Sequence, residues 1–271
     1  MHGASQKYDD LRRLLESLGS VLVAYSGGVD STFLGFAAHA CLGERSLAVL
    51  GVSATVPTSE MEDARATAEV LGLRLREVDT HELTDPRFQA NPHDRCYYCK
   101  SELFRVLGET ASAYGMEWVA DGTNADDLND YRPGRRAAAA YGVLSPLLDC
   151  GLRKDEIRLL SRDLGLPTWD KPAMACLSSR IPYGSRITQL MLERVASAEA
   201  ACRRLGLRQV RVRAHGEVAR VEVDSSEMEQ AFALRRELAR GVKAAGFVYV
   251  AQDLEGYRSG SFDRLFDGST G

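Results

Sequence analysis

The sequence predicts an α/β protein with a parallel sheet and helices on both faces, followed by a smaller α+β domain. In the first half, short strand-like segments alternate with helix-like segments, which is typical of a parallel sheet. The strand-like segments are uninterrupted apolar runs, as strands buried on both faces require. After residue 184 the order changes to a helix, two paired strands, a second helix and a last strand. We therefore expect a first domain over residues 1–184 and a second over residues 185–271.

Hydrophobic periodicity and turn residues define the elements of each domain. In the first domain the pattern predicts helices 8–18, 31–41, 60–71, 100–114 and 155–164, and strands 21–25, 46–52, 74–78 and 117–121. In the second domain it predicts helices 187–205 and 227–245, and strands 209–214, 218–223 and 247–250. The segments 122–136 and 165–184 are predicted to be irregular, and the second has the composition of an active-site loop.

Composition limits the class of protein. The chain has 271 residues, of which 45% are hydrophobic and 27% charged, the balance of an ordinary globular protein. Its apolar runs are far too short to span a bilayer, and the first residues lack a signal-peptide pattern, so we expect a soluble cytoplasmic protein with no membrane contact. The net charge of −4 argues against a general affinity for nucleic acid.

The strongest motif is SGGVDS at residues 26–31, which follows the apolar strand 21–25 and precedes a helix. The adjacent Gly27 and Gly28 allow a tight turn and a close approach of the backbone to a ligand. Backbone N–H groups at the start of a helix favour an anion. The motif therefore predicts a loop that binds phosphate groups.

Three side chains of this loop extend the prediction. Ser26 and Ser31 supply hydroxyl donors for phosphate oxygens, and the Asp30 carboxylate is suited to a magnesium ion that bridges them. The alternative interpretation is a strand-to-helix turn in which the two glycines and an Asp cap serve stability alone.

The loop lacks the Gly-Lys-Ser/Thr ending of a Walker A motif and the spaced glycines of a dinucleotide fold. The pattern S-G-G-x-D-S after a strand instead resembles the PP-loop of the ATP pyrophosphatases, which share the adenine nucleotide alpha hydrolase-like fold. The resemblance implies that a substrate oxygen attacks the α-phosphate of ATP and that pyrophosphate leaves. In this fold the second strand supports adenine recognition, which assigns Ser53, directly after strand 46–52, to the nucleotide site.

Four further motifs narrow the family. The segments are DGTNADD at 121–127, DYRPG at 130–134, CLSSRIPYG at 176–184, and the pair Arg211 and Arg213. Together they resemble the LarE family, over nearly the whole chain from about Leu11 to Phe262.

The resemblance to LarE implies a function and site residues. LarE proteins adenylate the carboxylates of pyridinium-3,5-biscarboxylic acid mononucleotide and convert them to thiocarboxylates for the nickel-pincer cofactor of lactate racemase. Cys176 occupies the position of the family's catalytic cysteine, which in some members gives up its own sulfur and becomes dehydroalanine. Thr123, Asn124 and Arg180 are assigned to ligand binding on the same resemblance, which also implies a homo-oligomer.

The six cysteines divide into two groups. Cys96 and Cys99 form a C-x-x-C pair, and together with Cys176 they supply three thiolates, the number that holds a 4Fe-4S cluster with one iron open to sulfide. A redox dithiol or half of a zinc site are the alternatives for the pair. Cys41, Cys150 and Cys202 lie in or beside apolar stretches and are predicted to be core or surface thiols.

Charged residues in the second half are predicted to bind the substrate. Arg211 and Arg213 alternate along one strand, so both face the same side, where two guanidinium groups suit a phosphate. The alternative is a solvated strand face. Glu199 and Glu222 are interpreted either as metal ligands or as ordinary surface carboxylates. Arg180 and Lys171 border Cys176 and are candidates for lowering its pKa or binding a carboxylate.

The sequence thus predicts an ATP- and magnesium-dependent sulfur transferase of the LarE type that acts on a pyridinium mononucleotide, with a 4Fe-4S cluster as sulfur carrier. Sacrificial transfer of the Cys176 sulfur is the alternative mechanism. A tRNA thiolase, an ammonia-using amide ligase and a non-catalytic nucleotide sensor are alternatives of other classes. The sequence does not identify the sulfide source.

Overall fold

The computed structural model describes residues 2–128, 133–172 and 175–258, and the chain forms two compact units. The first unit contains the described residues before Pro86 and those between His93 and Ala175. The second contains Pro86–His93 and the described residues from Ala175 onward. The sequence predicts a single boundary at residue 184, whereas the structure groups a short earlier segment and the Cys176 loop with the C-terminal elements.

The described helices and strands are numbered separately in chain order. The helices are α1 His2–Ser17, α2 Val29–Leu42, α3 Thr58–Val70, α4 Pro86–Gln89, α5 Arg95–Tyr114, α6 Pro133–Ala140, α7 Pro146–Asp149, α8 Lys154–Asp163, α9 Gln189–Arg204, α10 Met228–Ala233 and α11 Arg235–Ala244. The strands are β1 Val21–Tyr25, β2 Ser46–Val52, β3 Leu75–Asp79, β4 Trp118–Ala120, β5 Val210–His215, β6 Val218–Val223 and β7 Tyr249–Gln252.

The sheet of the first unit confirms the predicted α/β fold with parallel strands. Its order is β3-β2-β1-β4 and every pair is parallel. The chain leaves β1 towards β2 on one side and returns to β4 on the other, so the connections diverge between β1 and β4. In open α/β sheets, ligands bind outside the carboxyl ends of the strands at such a point. The loops after β1 and β4 are therefore the expected binding edge.

Side chains of β1 alternate between two apolar cores, which is why helices cover both faces of the sheet. Val21 and Val23 pack in a cluster with Phe33 of α2, and Leu22 packs in another with Phe104 of α5. Successive strand residues point to opposite faces, so an uninterrupted apolar run fills both cores. This arrangement holds β1, and the loop that follows it, between two layers of helix.

The second unit has a three-stranded sheet of order β5-β6-β7. Strands β5 and β6 are antiparallel, and β6 and β7 are parallel. The predicted helix 227–245 is two helices, α10 and α11, separated at Leu234, whose ψ of 13° departs from helical geometry. The described part of this unit is thus a small α+β arrangement with α9 packed on β5.

The predicted irregular segments contain short helices. α6 begins at Pro133, a residue favoured at the first helical position, within the segment predicted to be a loop. One-turn 3₁₀ helices occupy Ala125–Leu128 and Leu177–Arg180. Elements of four to eight residues contain too few turns to show a hydrophobic period. Residues 130–132 of the DYRPG motif and Phe262 lie outside the described residues.

Within the described ranges, no helix is long and apolar enough to cross a membrane.

Candidate functional site

The backbone at Gly27 is confined by α3. Gly27 has a φ of +70°, and a Cβ built on it would lie 2.6 Å from the Cβ and 2.8 Å from the Cα of Ala64. A side chain at this position would therefore collide with a helix backbone and also require a left-handed conformation. The turn between β1 and α2 is possible only with glycine here.

The two serines of the loop meet in front of α2. Their Oγ atoms lie 3.0 Å apart, and the Ser31 hydroxyl accepts from the Ser26 N–H at 3.1 Å and donates to the carbonyl of Gly28 at 3.2 Å. Gly28 is the N-cap residue of α2, and no described side chain accepts a hydrogen bond from the first N–H groups of the helix. Helix N-termini of this kind favour anions, so the two hydroxyls and these N–H groups are positioned together for phosphate.

Asp30 lies in the first turn of α2, and its two carboxylate oxygens have different surroundings. Oδ2 forms a short ion pair with the ammonium of Lys154 on α8, and Oδ1 is buried without a hydrogen-bond partner. A buried unpartnered carboxylate oxygen beside a phosphate site is a suitable ligand for Mg²⁺, which is bound by one or two carboxylates plus phosphate oxygens. Asp30 therefore fits the magnesium assignment, and Lys154 is a charged residue of this site that sequence analysis missed.

The loop after β4 lies against the same helix end. A Cβ on Gly122 would be 3.0 Å from the backbone nitrogen of Ser31. Within the loop, Thr123 Oγ1 donates to Asp121 at 2.9 Å, and the buried Asn124 accepts from the N–H of Asp126 at 3.0 Å. Both residues are thus next to the phosphate loop with side chains engaged in their own loop, and their nucleotide contacts stay a prediction.

Ser53 follows β2 as predicted, and its hydroxyl is engaged by a carboxylate that sequence analysis missed. Ser53 Oγ forms a short hydrogen bond with Glu82, and Thr55 Oγ1 donates to the same carboxylate oxygen at 2.9 Å. All three side chains are buried. This arrangement leaves the backbone of the segment after β2, rather than the Ser53 hydroxyl, as the candidate for adenine contact.

The C-x-x-C pair lies within the first five residues of α5, in the first unit. Cys96 is exposed and Cys99 half-buried, and residues three apart share a side of a helix. Between them, the Tyr97 ring packs under the guanidinium of Arg136 at 5.2 Å. The two thiolates are therefore suited to bind one metal centre together. Over the described residues, no three His, Cys, Asp or Glu side chains are grouped as metal ligands.

Cys176 belongs to the second unit, just before the 3₁₀ helix Leu177–Arg180. Its carbonyl oxygen accepts three hydrogen bonds, from the N–H of Ser179 at 3.0 Å, the Ser179 hydroxyl at 2.8 Å and Arg180 Nη1 at 3.0 Å. The half-buried Cys176 is therefore held by its backbone. Lys171, in the first unit, pairs with Glu60 of α3 at 3.1 Å.

Arg180 and Glu199 form a buried ion pair. Arg180 is 1% exposed and Glu199 is 0% exposed, and Nε donates to Oε1 at 2.8 Å while Nη2 donates to Oε2 at 3.2 Å. Glu199 also accepts from Arg203 at 3.0 Å and from the N–H of Val212 at 3.1 Å. The interpretation of Glu199 as a surface carboxylate is wrong, because its charge is compensated inside the unit.

Arg213 and Arg211 both lie on β5, and they differ in whether a carboxylate neutralises their charge. Arg213 donates to Glu222 at 3.0 Å, and Glu222 also accepts from Arg220 at 2.9 Å. Glu222 is 1% exposed, so it is not a surface carboxylate either. Arg211 packs over the Tyr257 ring at 5.3 Å and has no carboxylate partner within the described ranges. Both arginines are buried, which excludes a solvated strand face.

The charge of Arg211 is poorly stabilised. Burial, and then the positive charge of Arg180, lower the pKa of Arg211 from its usual value. A buried cation without a carboxylate is costly unless an anion accompanies it. Arg211 is thus the guanidinium of this unit best suited to an incoming phosphate.

The remaining cysteines are buried or half-buried. Cys202 is buried and burial raises the pKa of its thiol to about 12. Burial also raises the pKa of Cys150 to about 11. Cys41 is half-buried against the α1–α2 core. The thiolate is the nucleophile and the metal ligand, so Cys150 and Cys202 are poorly suited to either role.

Comparison with known proteins shows which families this sequence resembles. The sequence profile of the NAD synthase family matches residues 7–97. The uncharacterized protein slr1717 of Synechocystis sp. is 46% identical over 261 residues, which cover 96% of this chain and 97% of that protein. The pyridinium-3,5-bisthiocarboxylic acid mononucleotide synthase of Lactiplantibacillus plantarum is 36% identical over 247 residues, covering 91% and 90%. The tRNA-specific 2-thiouridylase MnmA of Desulforamulus reducens is 28% identical over 203 residues, covering 56% and 52%.

The parallel sheet and its phosphate loop define an enzyme of the ATP pyrophosphatase class with the adenine nucleotide alpha hydrolase fold, and membership of that class implies the use of ATP. Within this class, the chain belongs to the LarE-like family of PP-loop proteins, which is related to the LarE sulfur transferase.

Gly27→Ala should distort the phosphate site, because the new Cβ would displace the loop from α3. Gly72→Ala is the matched control: its φ is +64° and nothing lies within 4 Å of the added Cβ. Each variant incurs a left-handed backbone cost of about 1–2 kcal/mol, but only Gly27→Ala should weaken the binding of an ATP analogue by about 10²-fold. Titration calorimetry measures both affinities. Equal affinities in the two variants would contradict the role of the contact with Ala64.

Glu199→Gln should lower the free energy of unfolding by about 3–5 kcal/mol, because it leaves the buried Arg180 without its counter-charge. Glu77→Gln is the control, since Glu77 forms an equally close but exposed ion pair with Arg65. That variant should lose much less, because exposed ion pairs contribute little. Urea unfolding of both variants measures the difference. Similar losses would show that burial of the Arg180 pair is not what stabilises the second unit.

Proposed function

We propose that the protein uses ATP to insert sulfur into pyridinium-3,5-biscarboxylic acid mononucleotide, converting its carboxylates to thiocarboxylates for a nickel-pincer cofactor. The observation that carries the proposal is the 36% identity, over 91% of the chain, to a pyridinium-3,5-bisthiocarboxylic acid mononucleotide synthase. Two structural features support this proposal: the phosphate loop of the first unit and the loop that contains Cys176.

The first proposed step is adenylation. The triphosphate lies at the N-terminus of α2, with the hydroxyls of Ser26 and Ser31 donating to its oxygens. A substrate carboxylate oxygen attacks the α-phosphorus, the bond to the bridging oxygen of pyrophosphate breaks, and an acyl adenylate forms. Bound Mg²⁺, held through Asp30, would neutralise charge on the leaving pyrophosphate.

Substrate recognition is assigned to β5. Arg211 is buried and lacks a carboxylate within the described ranges, whereas Arg213 on the same face is neutralised by Glu222. The phosphate of the mononucleotide would supply the missing negative charge at Arg211. In this interpretation Arg213 orients the Cys176 loop, since Arg213 Nη1 donates to the carbonyl of Ser179 at 2.8 Å. Arg180, held by Glu199, has the same orienting function at Cys176.

Sulfur transfer is assigned to Cys176, with Cys96 and Cys99 as partners. We propose that the three thiolates hold a 4Fe-4S cluster. Such a cluster would supply an iron site for inorganic sulfide, and that sulfide would be the nucleophile that replaces AMP at the activated carbon. The alternative requires no cluster. The Cys176 thiolate displaces AMP to form a thioester, and loss of the Cα proton with cleavage of the Cβ–S bond releases the thiocarboxylate and leaves dehydroalanine. Assembly as a homo-oligomer stays a prediction.

Cys176→Ala should lose thiocarboxylate formation by at least about 10³-fold, because no thiolate remains to ligate or deliver sulfur. Substrate-dependent release of pyrophosphate should persist, since the phosphate loop lies in the other unit. Cys41→Ala is the control, a half-buried thiol packed in the first core. Mass spectrometry of the product and a pyrophosphate assay provide the two measurements. Thiolated product from Cys176→Ala would refute the assigned role.

Anaerobically purified protein should contain about four iron and four acid-labile sulfide per chain. Cys96→Ala should lose both, and Cys150→Ala should keep both, because the Cys150 thiol is shielded with a raised pKa. Metal and sulfide analysis of the three proteins decides the question. Absence of iron after anaerobic reconstitution, with a mass loss of about 34 Da at Cys176 after turnover, the elements of hydrogen sulfide lost when cysteine becomes dehydroalanine, would establish the sacrificial mechanism instead.

A further inference from the structure

The ammonium of Lys154 lies against Asp30, the carboxylate that is assigned to magnesium. It pairs with Asp30 Oδ2, while Oδ1 of the same carboxylate is buried without a hydrogen-bond partner. The Asp30 side chain is 21% exposed and that of Lys154 is 34% exposed, so the pair lies at the accessible edge of the phosphate loop. A cation that binds Asp30 through both oxygens must therefore displace the ammonium.

The backbone of Lys154 is anchored independently of this ion pair. Its N–H donates to Asp126 Oδ2 at 2.8 Å, in the loop after β4. One residue earlier, the N–H of Arg153 donates to Glu156 at 2.9 Å and caps the start of α8. The lysine side chain is a flexible four-carbon stem that ends in an ammonium group with three donors. The ammonium can therefore move while the backbone stays in place.

The geometry points to an exchange of partners at Lys154, an inference that rests on the proposed metal role of Asp30. We propose that Lys154 neutralises Asp30 in the nucleotide-free loop and transfers its ammonium to the triphosphate when metal and ATP bind. Asp30 then binds the divalent ion, and the ammonium meets the phosphate oxygens in front of Ser26 and Ser31.

Charge explains why the two ligands should bind together. Without ATP, a divalent ion at Asp30 would face the displaced ammonium across a few ångströms, and like charges repel. With ATP present, the phosphates carry enough negative charge for both cations. Lys154 should thus suppress metal binding to the empty loop and favour binding of the metal–nucleotide complex, which is a positive coupling between the two ligands.

The experiment measures Mn²⁺ binding by electron paramagnetic resonance, with and without a non-hydrolysable ATP analogue. Lys154→Met should bind Mn²⁺ alone about 5–150-fold more tightly, the usual range of coupling between two sites, and should bind the Mn²⁺–analogue complex more weakly by a similar factor. Adding Asp30→Asn to Lys154→Met should remove the gained Mn²⁺ binding. Lys154→Arg, which keeps the charge, should suppress Mn²⁺ alone as the unaltered protein does.

Lys7→Met is the matched control. Lys7 lies on α1, and its Nζ pairs at 2.7 Å with Glu156, which is on α8 like Lys154. Lys7 forms no ion pair with Asp30. Lys7→Met should change neither measurement. The proposal is overturned if Lys154→Met leaves both affinities unchanged, or weakens both, since a residue that only stabilises the loop would do the latter. Neither measurement uses the pyridinium substrate or sulfur, so failure of thiolation and failure of this exchange are separate results.

Discussion

The first unit depends on close backbone contacts at the amino end of α2. Gly27 lies against Ala64 of α3 with no space for a side chain, and Gly122 lies against Ser31, where a side chain would be tightly confined. These contacts bring the loops after β1 and β4 together at the carboxyl edge of the sheet. Because side chains are excluded there, backbone N–H groups and short hydroxyls form the surface, and such a surface suits a polyphosphate.

The second unit depends instead on buried ion pairs between carboxylates and arginines. Glu199 and Glu222 are both inaccessible, and each accepts from two arginines. Arg211 adds a further guanidinium that forms no ion pair with a carboxylate among the described residues. Buried ions are costly unless they are compensated, so the surplus of positive charge at Arg211 suits an anionic ligand. The overall charge of −4 conceals this local surplus.

The predicted fold of the first unit was confirmed because its signals are local. Strands β1 and β2 have the predicted bounds, since continuous apolar runs are bordered by glycine and polar residues. The start of α5 at Arg95 rather than at residue 100, and the division of residues 227–245 at Leu234, were not predicted, whereas the end of α5 at Tyr114 was. Helix boundaries depend on local backbone geometry, which periodicity does not encode.

The sequence by itself determined the strands of the parallel sheet and their alternation with helices, the phosphate loop at residues 26–31 and the family-specific cysteine loop at Cys176, because each strand, helix and loop is a run of contiguous residues. Only the tertiary structure decided that Glu199 is a buried counter-ion and that Lys154 faces Asp30, 124 positions away in the chain. Such pairs carry no local signal, since a charged residue has the same sequence context whether its partner is water or a distant side chain. Burial and partnership arise only when separate segments pack together.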